Sequence, residues 1–207
     1  MSATLKLVAA VALAIAAVSG QEWKPLFDGK SLAGWKDTEF LRYSKARVEN
    51  GAIVLAAGKP LTGVTYTGAF PKSNYEIRFE ASKGPGGDFF ASLTFPVKDS
   101  HATWVTGGWG GDIVGISSLD NWDASENETR TYYEFKPGQW YNFRLRVLDD
   151  RITAWIDEEQ VVNLSIAGRA LSLRTGEIEK SAPMGFASYN TTGLIRRVEY
   201  REIPARK

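Results

Sequence analysis

One stretch limits the possible folds more than any other: Gln139–Leu164, QWYNFRLRVLDDRITAWIDEEQVVNL. Tyr141, Phe143, Leu145 and Val147 alternate with Asn142, Arg144 and Arg146, the period of a strand with one buried face. Asp149-Asp150 interrupts the run, and Arg151–Ile156 resumes it with Ile152, Ala154 and Ile156 on one side. Asp157–Gln160 makes a second turn, and Val161–Leu164 opens a third strand. Three strands joined by tight turns form an antiparallel meander. An apolar face of that size needs a second sheet packed over it, which the rest of the chain must supply.

The other strands can be read in chain order. Glu22–Trp35 is broken by Pro25, Gly29 and Gly34 and reads as a loop or edge segment, with Trp23, Leu26, Phe27, Leu32 and Trp35 plugging one end of the core. Ala52–Leu55, Leu61–Phe70 and Asn74–Glu80 are strand candidates. In the last, Tyr75, Ile77 and Phe79 face one way and Glu76, Arg78 and Glu80 the other. Lys83–Asp88 (KGPGGD) reads as a turn, and Phe89–Phe95 as a buried strand. Thr103–Thr106 and Asp112–Ile116 pair around the loop Gly107–Gly111, and Ser117–Arg130 is a polar loop. Ala167–Lys180 is irregular, and Gly185–Tyr189 and Leu194–Ile203 close the set. No segment after the first twenty residues has a 3.6-residue apolar period. Roughly twelve short strands with frequent turns define an all-β, two-sheet antiparallel sandwich of jelly-roll type.

Residues 1–20 carry Lys6, an apolar run Leu7–Val18 and small residues before Gln21, the pattern of a cleavable secretory leader. The alternative, a membrane anchor, needs ~20 apolar residues to span a bilayer, more than this run supplies. A secreted or periplasmic chain without a membrane span, forming one domain over residues 21–207, is therefore expected. The chain has no cysteine, so no disulfide framework holds it together. With 25 basic and 24 acidic residues and no basic run, nucleic acid is not an expected partner. Sequons at Asn127, Asn163 and Asn190 matter only in a eukaryotic secretory route. The seven tryptophans are many for 207 residues, and in a secreted β-protein they suit stacking on sugar rings as well as core packing.

Four segments together resemble the 3-keto-disaccharide hydrolase domain family: PLFDGKSLAGW (Pro25–Trp35), NYEIRFEA (Asn74–Ala81), PGQWYNFRLRV (Pro137–Val147) and RITAWIDEEQVV (Arg151–Val162). The resemblance implies a concanavalin-A-like jelly roll, export, and a role in carbohydrate breakdown, including cleavage of glycosides oxidised at carbon 3. The chain departs from the family at two places. Gly86–Phe95 (GGDFFASLTF) lacks the Arg expected on the first concave strand. Trp109–Ser117 (WGGDIVGIS) has Asp112 near an expected Glu and no Gln.

Cleavage beside a 3-ketone needs a base to take the carbon-2 proton and a cation or hydrogen-bond donor to hold the enolate oxygen. Asp88 and Asp112 each follow a Gly-Gly pair at a strand entrance, and His101, the single histidine, lies in the loop between those strands. These three are the candidate catalytic groups. The alternatives are turn chemistry for the two aspartates and a surface position for the histidine. Trp104, Trp109, Trp122 and Arg130 are the candidate substrate-binding residues, with core packing as the alternative for the indoles. The acidic loop Asp120–Glu128 offers hard oxygen ligands suited to Ca²⁺ or another divalent cation, although its spacing is not that of an EF-hand and a solvated loop is the competing reading. A plain retaining glucanase would need paired carboxylates about 5 Å apart on one strand face. Glu126-Asn127-Glu128 and Glu177-Ile178-Glu179, the nearest fragments, do not lie in strand patterns. The expected function is cleavage of a 3-keto-glycoside, the alternatives being a non-catalytic carbohydrate-binding module or a structural envelope protein.

Overall fold

A computed structural model describes residues 22–204 of the chain. The leader read at residues 1–20 and the charged tail after Pro204 lie outside the described residues. Fifteen strands run in the order β1 Lys24–Pro25, β2 Trp35–Asp37, β3 Arg47–Glu49, β4 Ala52–Leu55, β5 Leu61–Tyr66, β6 Tyr75–Gly86, β7 Ser92–Val97 and β8 Ser100–Gly108. They continue as β9 Ile113–Ser117, β10 Thr131–Tyr132, β11 Trp140–Val147, β12 Arg151–Ile156, β13 Glu159–Ser165, β14 Gly185–Tyr189 and β15 Thr191–Glu202. Among the described residues the one helical turn is the 3₁₀ segment Glu177–Ser181. The first sheet has the order β13-β12-β11-β6-β15-β4-β3, with β1 added on β15. The second has the order β10-β9-β8-β7-β14-β5-β2. Every pairing is antiparallel. The two-sheet jelly-roll sandwich expected from the sequence is the fold.

The Trp140–Ser165 meander forms one wing of the first sheet, and its period-two pattern is kept. Tyr141, Phe143, Leu145 and Val147 are buried, as are Ile152, Ala154 and Ile156. They meet Leu93, Phe95, Trp104 and Ile116 from the second sheet in one apolar cluster. Phe143 stacks on Phe79 with centroids 4.9 Å apart, and Trp104 packs edge-on to both rings. Each such side chain contributes about 1.5–3 kcal/mol of transfer free energy, which stands in for the missing disulfides.

The structure corrects four local expectations. Lys83–Gly86 is not turn but the end of the twelve-residue β6, held by pairing with β15. His101 is not in a loop: it lies in β8 opposite Pro96, because the β7–β8 turn is confined to Lys98-Asp99. Phe89 precedes β7 rather than beginning it. Trp23 does not plug the core. Its ring lies against the guanidinium groups of Arg78 and Arg201 on the solvent side of the first sheet, whereas Leu26, Phe27 and Trp35 do enter the core.

Candidate functional site

The solvent face of the second sheet is built from short side chains. Because Leu93, Trp104 and Ile116 point into the core, their neighbours Ser92, Thr103, Val105 and Ser117 point outward. Those four form the floor of a trough of about 490 Å³, within the range of small-molecule sites. On the β9 side Ser117 lines it, and the 117–130 loop beyond packs on Gly115, where an added Cβ would lie 3.0 Å from the Thr129 carbonyl oxygen. The opposite wall is made of Leu61, Phe89, Tyr189 and Ile178, packed with Phe40 and Tyr43. Asp88, Trp109, Arg174, Thr175 and Glu177 complete the lining.

Asp88 is half-buried at the trough. Its backbone is clamped by Thr191, whose Oγ1 accepts the Asp88 N–H at 2.8 Å and donates to the Asp88 carbonyl at 3.0 Å. Its Oδ1 accepts the Phe89 N–H at 2.8 Å. The turn chemistry read from the sequence is therefore present, but it occupies one oxygen. Among the described residues no protein donor reaches Oδ2.

Trp109 has φ of 48°, a left-handed conformation that costs a non-glycine residue roughly 1–2 kcal/mol. The Gly107–Gly111 loop carries it, anchored by the buried Lys83, whose Nζ donates to the Gly111 carbonyl at 3.3 Å. Gly111 has φ of 108°, which favours glycine, and an added Cβ would lie 2.5 Å from that Nζ and displace the lysine head. The indole stands at the trough, 39% exposed.

The two other charged lining groups come from the 170–180 segment. Arg174 Nε is 3.4 Å from Asp123 Oδ2, and Asp123 Oδ1 accepts the Ser117 hydroxyl at 3.0 Å. Glu177 receives both oxygens' bonds from Lys180 Nζ, at 2.9 and 3.0 Å, and a third from the Leu41 N–H at 2.5 Å. The Lys180 ammonium, then the Leu41 N–H, hold its carboxyl below the usual glutamate range. Three bonds thus fix Glu177 in place, whereas Asp88 keeps one carboxylate oxygen that no protein donor reaches among the described residues.

The remaining sequence candidates lie elsewhere. Trp104 is fully enclosed in the inter-sheet core and offers no face to a sugar, a correction that follows from the inward register of β8. Asp112 is exposed in the loop before β9 and is not part of the trough lining. Its carbonyl accepts the Tyr133 N–H. Trp122 is 58% exposed on the outer loop, and Arg130 Nη1 donates to the Ser125 carbonyl at 3.0 Å. Neither lines the trough. His101 shares the outward face of β8 with Thr103, but the lining stops at Thr103. Burial, then the nearby Lys72 charge, pulls its pKa below the usual histidine value.

Three of the acidic loop's four carboxylates are engaged by arginines. Asp120 and Glu128 both bind Arg169, and Asp123 binds Arg174. Among the described residues no three acidic or histidine side chains converge as a metal would require. Asn127, read as a sequon, organises this loop. Its Nδ2 donates to the carbonyls of Ile116, Trp122 and Asp123, and its Oδ1 accepts from the Thr129 N–H and hydroxyl. Arg174 and Tyr189 were not singled out from the sequence, and Glu177 was named only within a carboxylate fragment set aside for lying outside a strand pattern. Each reaches the trough through contacts with residues 50 or more positions away.

The two-sheet antiparallel jelly roll is the concanavalin-A-like fold. The chain belongs to the 3-keto-alpha-glucoside-1,2-lyase-like domain family, which it matches over residues 22–205. No curated protein sequence matches it. Among solved structures it is similar to a candidate glycosyl hydrolase from Parabacteroides distasonis ATCC 8503, with TM-score 0.55 and 13% identity over 88% of this chain and 94% of that one. It is also similar to the carbohydrate-binding module CBM66 from Bacillus subtilis, with TM-score 0.55 and 13% identity over 82% and 96%. A third similar structure is the fourth domain of an extracellular arabinanase from Geobacillus stearothermophilus in complex with arabinotriose, with TM-score 0.56 and 15% identity over 83% and 84%. At these identities the likenesses speak for the fold.

Proposed function

We propose that the trough cleaves glycosides oxidised at carbon 3 by elimination, with Asp88 as the base. The ketone acidifies the carbon-2 hydrogen. Asp88 Oδ2 takes that proton, the electron pair becomes the enolate, and Arg174 holds the enolate oxygen. Collapse of the enolate forms the carbon-1–carbon-2 double bond and breaks the carbon-1–oxygen bond, so the aglycone leaves with its electron pair and is then protonated. Trp109 stacks on the sugar ring, and Thr103 and Ser117 offer hydroxyls to its oxygens. The observation that carries the reading is that a carboxylate with one oxygen free of protein donors and an arginine line the same cavity. The leader read at residues 1–20 supports placing the reaction outside the cytoplasm.

A second reading has its own support. Asp112 and His101 lie outside the trough lining, so of the three acid–base groups expected from the sequence the trough holds Asp88 alone, and a module that binds the sugar without cleaving it fits the same lining. One assay separates the two. The purified chain is incubated with a 3-keto-α-glucoside bearing a chromogenic aglycone, and with 3-keto-trehalose. Aglycone release that falls about 10²-fold or more in Asp88→Asn supports the base assignment. Undiminished release in that variant removes Asp88 from the mechanism, and binding without release supports the module.

A further inference from the structure

The solvent face of the first sheet carries a second built surface. On β6, β11 and β15 the outward residues meet in register: Arg146 and Arg201 flank Glu76, Glu199 and Arg144 flank Arg78, and Arg196 stands opposite Glu80. Glu76 is fully buried beneath this layer. Arg146 Nε reaches its Oε1 at 2.7 Å and Arg201 Nε its Oε2 at 2.6 Å, with Arg144 Nη1 at 3.6 Å. Glu80 is likewise held by two guanidinium groups, Arg196 at 2.7 Å and Arg197 at 2.6 Å. The six arginines on these rows meet three carboxylates, Glu76, Glu80 and Glu199, which leaves three positive charges in excess on a protein of formal net charge +1. The pairs Lys24–Glu202 and Arg47–Glu49 at the sheet's margin are balanced and do not offset this excess.

Two further features show that the layer is held in place. Arg144 lies 3.9 Å over the Trp155 ring and Arg196 3.9 Å over Trp140, while Arg78 and Arg201 lie on Trp23. Stacked guanidinium groups lose little further freedom when they bind. The register of β15 also slips between Arg196 and Glu199, and Arg197 takes φ of 52°, a left-handed backbone for a non-glycine residue. The slip puts consecutive arginines on one carboxylate, and such bulges re-aim side chains at functional surfaces.

We infer that this face binds a carboxylate-bearing polysaccharide. Each guanidinium has five N–H donors and the carboxylates beneath engage only some of them, so outward donors remain on a fixed, cation-rich lattice. Strands ~4.8 Å apart and same-face residues ~7 Å apart set a regular spacing of guanidinium groups along which a linear polyuronate can lie. Carbohydrate is favoured over nucleic acid because the chain has no basic run and belongs to a carbohydrate-active family.

The probe is polygalacturonate, with neutral dextran and duplex DNA as comparisons, in affinity electrophoresis of the purified chain at low and high ionic strength. The expected result is retention by polygalacturonate that weakens with salt, with none by dextran. In the double variant Arg144→Gln/Arg197→Gln retention falls about tenfold, while Trp109→Ala at the trough retains as the parent does. Arg197→Gly, which relieves the left-handed strain while removing the charge, separates lost charge from lost fold. It weakens retention while its melting temperature stays at or above the parent's. Absence of retention at low ionic strength, unchanged retention in the double variant, tighter retention by DNA, or salt-sensitive self-association in place of glycan binding would each overturn the inference.

Discussion

Replacing Glu76 with Gln probes the arginine layer at its centre. The side chain is fully buried and its two oxygens bind Arg146 and Arg201, with Arg144 a short distance beyond. The amide keeps the shape, but it removes the negative charge and turns an NH₂ group toward a guanidinium that can only donate. Three cations are then left around a neutral group. Breaking a fully buried ion pair by removing one partner costs about 3–5 kcal/mol. Here the arginine side chains are 29–39% exposed, so water screens part of that loss, and about 2–3 kcal/mol is expected. For a chain of this length that lowers the melting temperature by roughly 5–10 °C. Equilibrium urea unfolding of the two proteins measures the difference directly. Salt at about 1 M screens the exposed arginines from one another, so the deficit shrinks there. A double-mutant cycle with Arg201→Met apportions the pair term. A loss below about 0.5 kcal/mol, or a deficit that grows with salt, would refute the account of Glu76 as the charge that holds the layer.

The trough, its flanking loop and His101 give further expected outcomes. Asn127→Ala removes two N–H donors shared among three carbonyls and an oxygen that accepts two hydrogen bonds in the 117–130 loop, and a loss of about 2–4 kcal/mol in urea unfolding is expected. Trp109→Ala weakens binding of a 3-keto-α-glucoside in calorimetry while Trp104→Phe leaves it unchanged, because one indole lines the trough and the other is enclosed. His101 has a folded pKa below its unfolded value, so its contribution is fully present above the unfolded value near 6.5 and is lost as pH falls through the window below it. His101→Gln therefore flattens stability against pH in that window, read from melts at stepped pH. Calcium is expected to leave the melting temperature unchanged, because Arg169 and Arg174 already partner the acidic loop; a rise reversed by chelator would show that loop to be a cation site.

What the sequence by itself determined is what alternation along one segment encodes. The buried faces of Tyr141–Val147, Ile152–Ile156 and Tyr75–Phe79 are period-two patterns, and they required a two-sheet antiparallel sandwich because that many apolar faces must be covered. Even the charged side of the first sheet was legible as Glu76, Arg78 and Glu80 against Arg144 and Arg146, though not the cross-strand register that buries Glu76 under arginines from β11 and β15. The site was decided by the tertiary structure alone. Asp88 and Asp112 each follow a Gly-Gly pair, yet one lines the trough and the other stands in an exposed loop. Trp104 and Trp109 are five residues apart, and strand register sends one into the core while a left-handed backbone holds the other at the cavity. Local residue pattern reports which face of a strand is apolar. Which loops converge over that strand depends on pairings between distant segments, and those pairings brought Arg174, Glu177 and Tyr189 to Asp88.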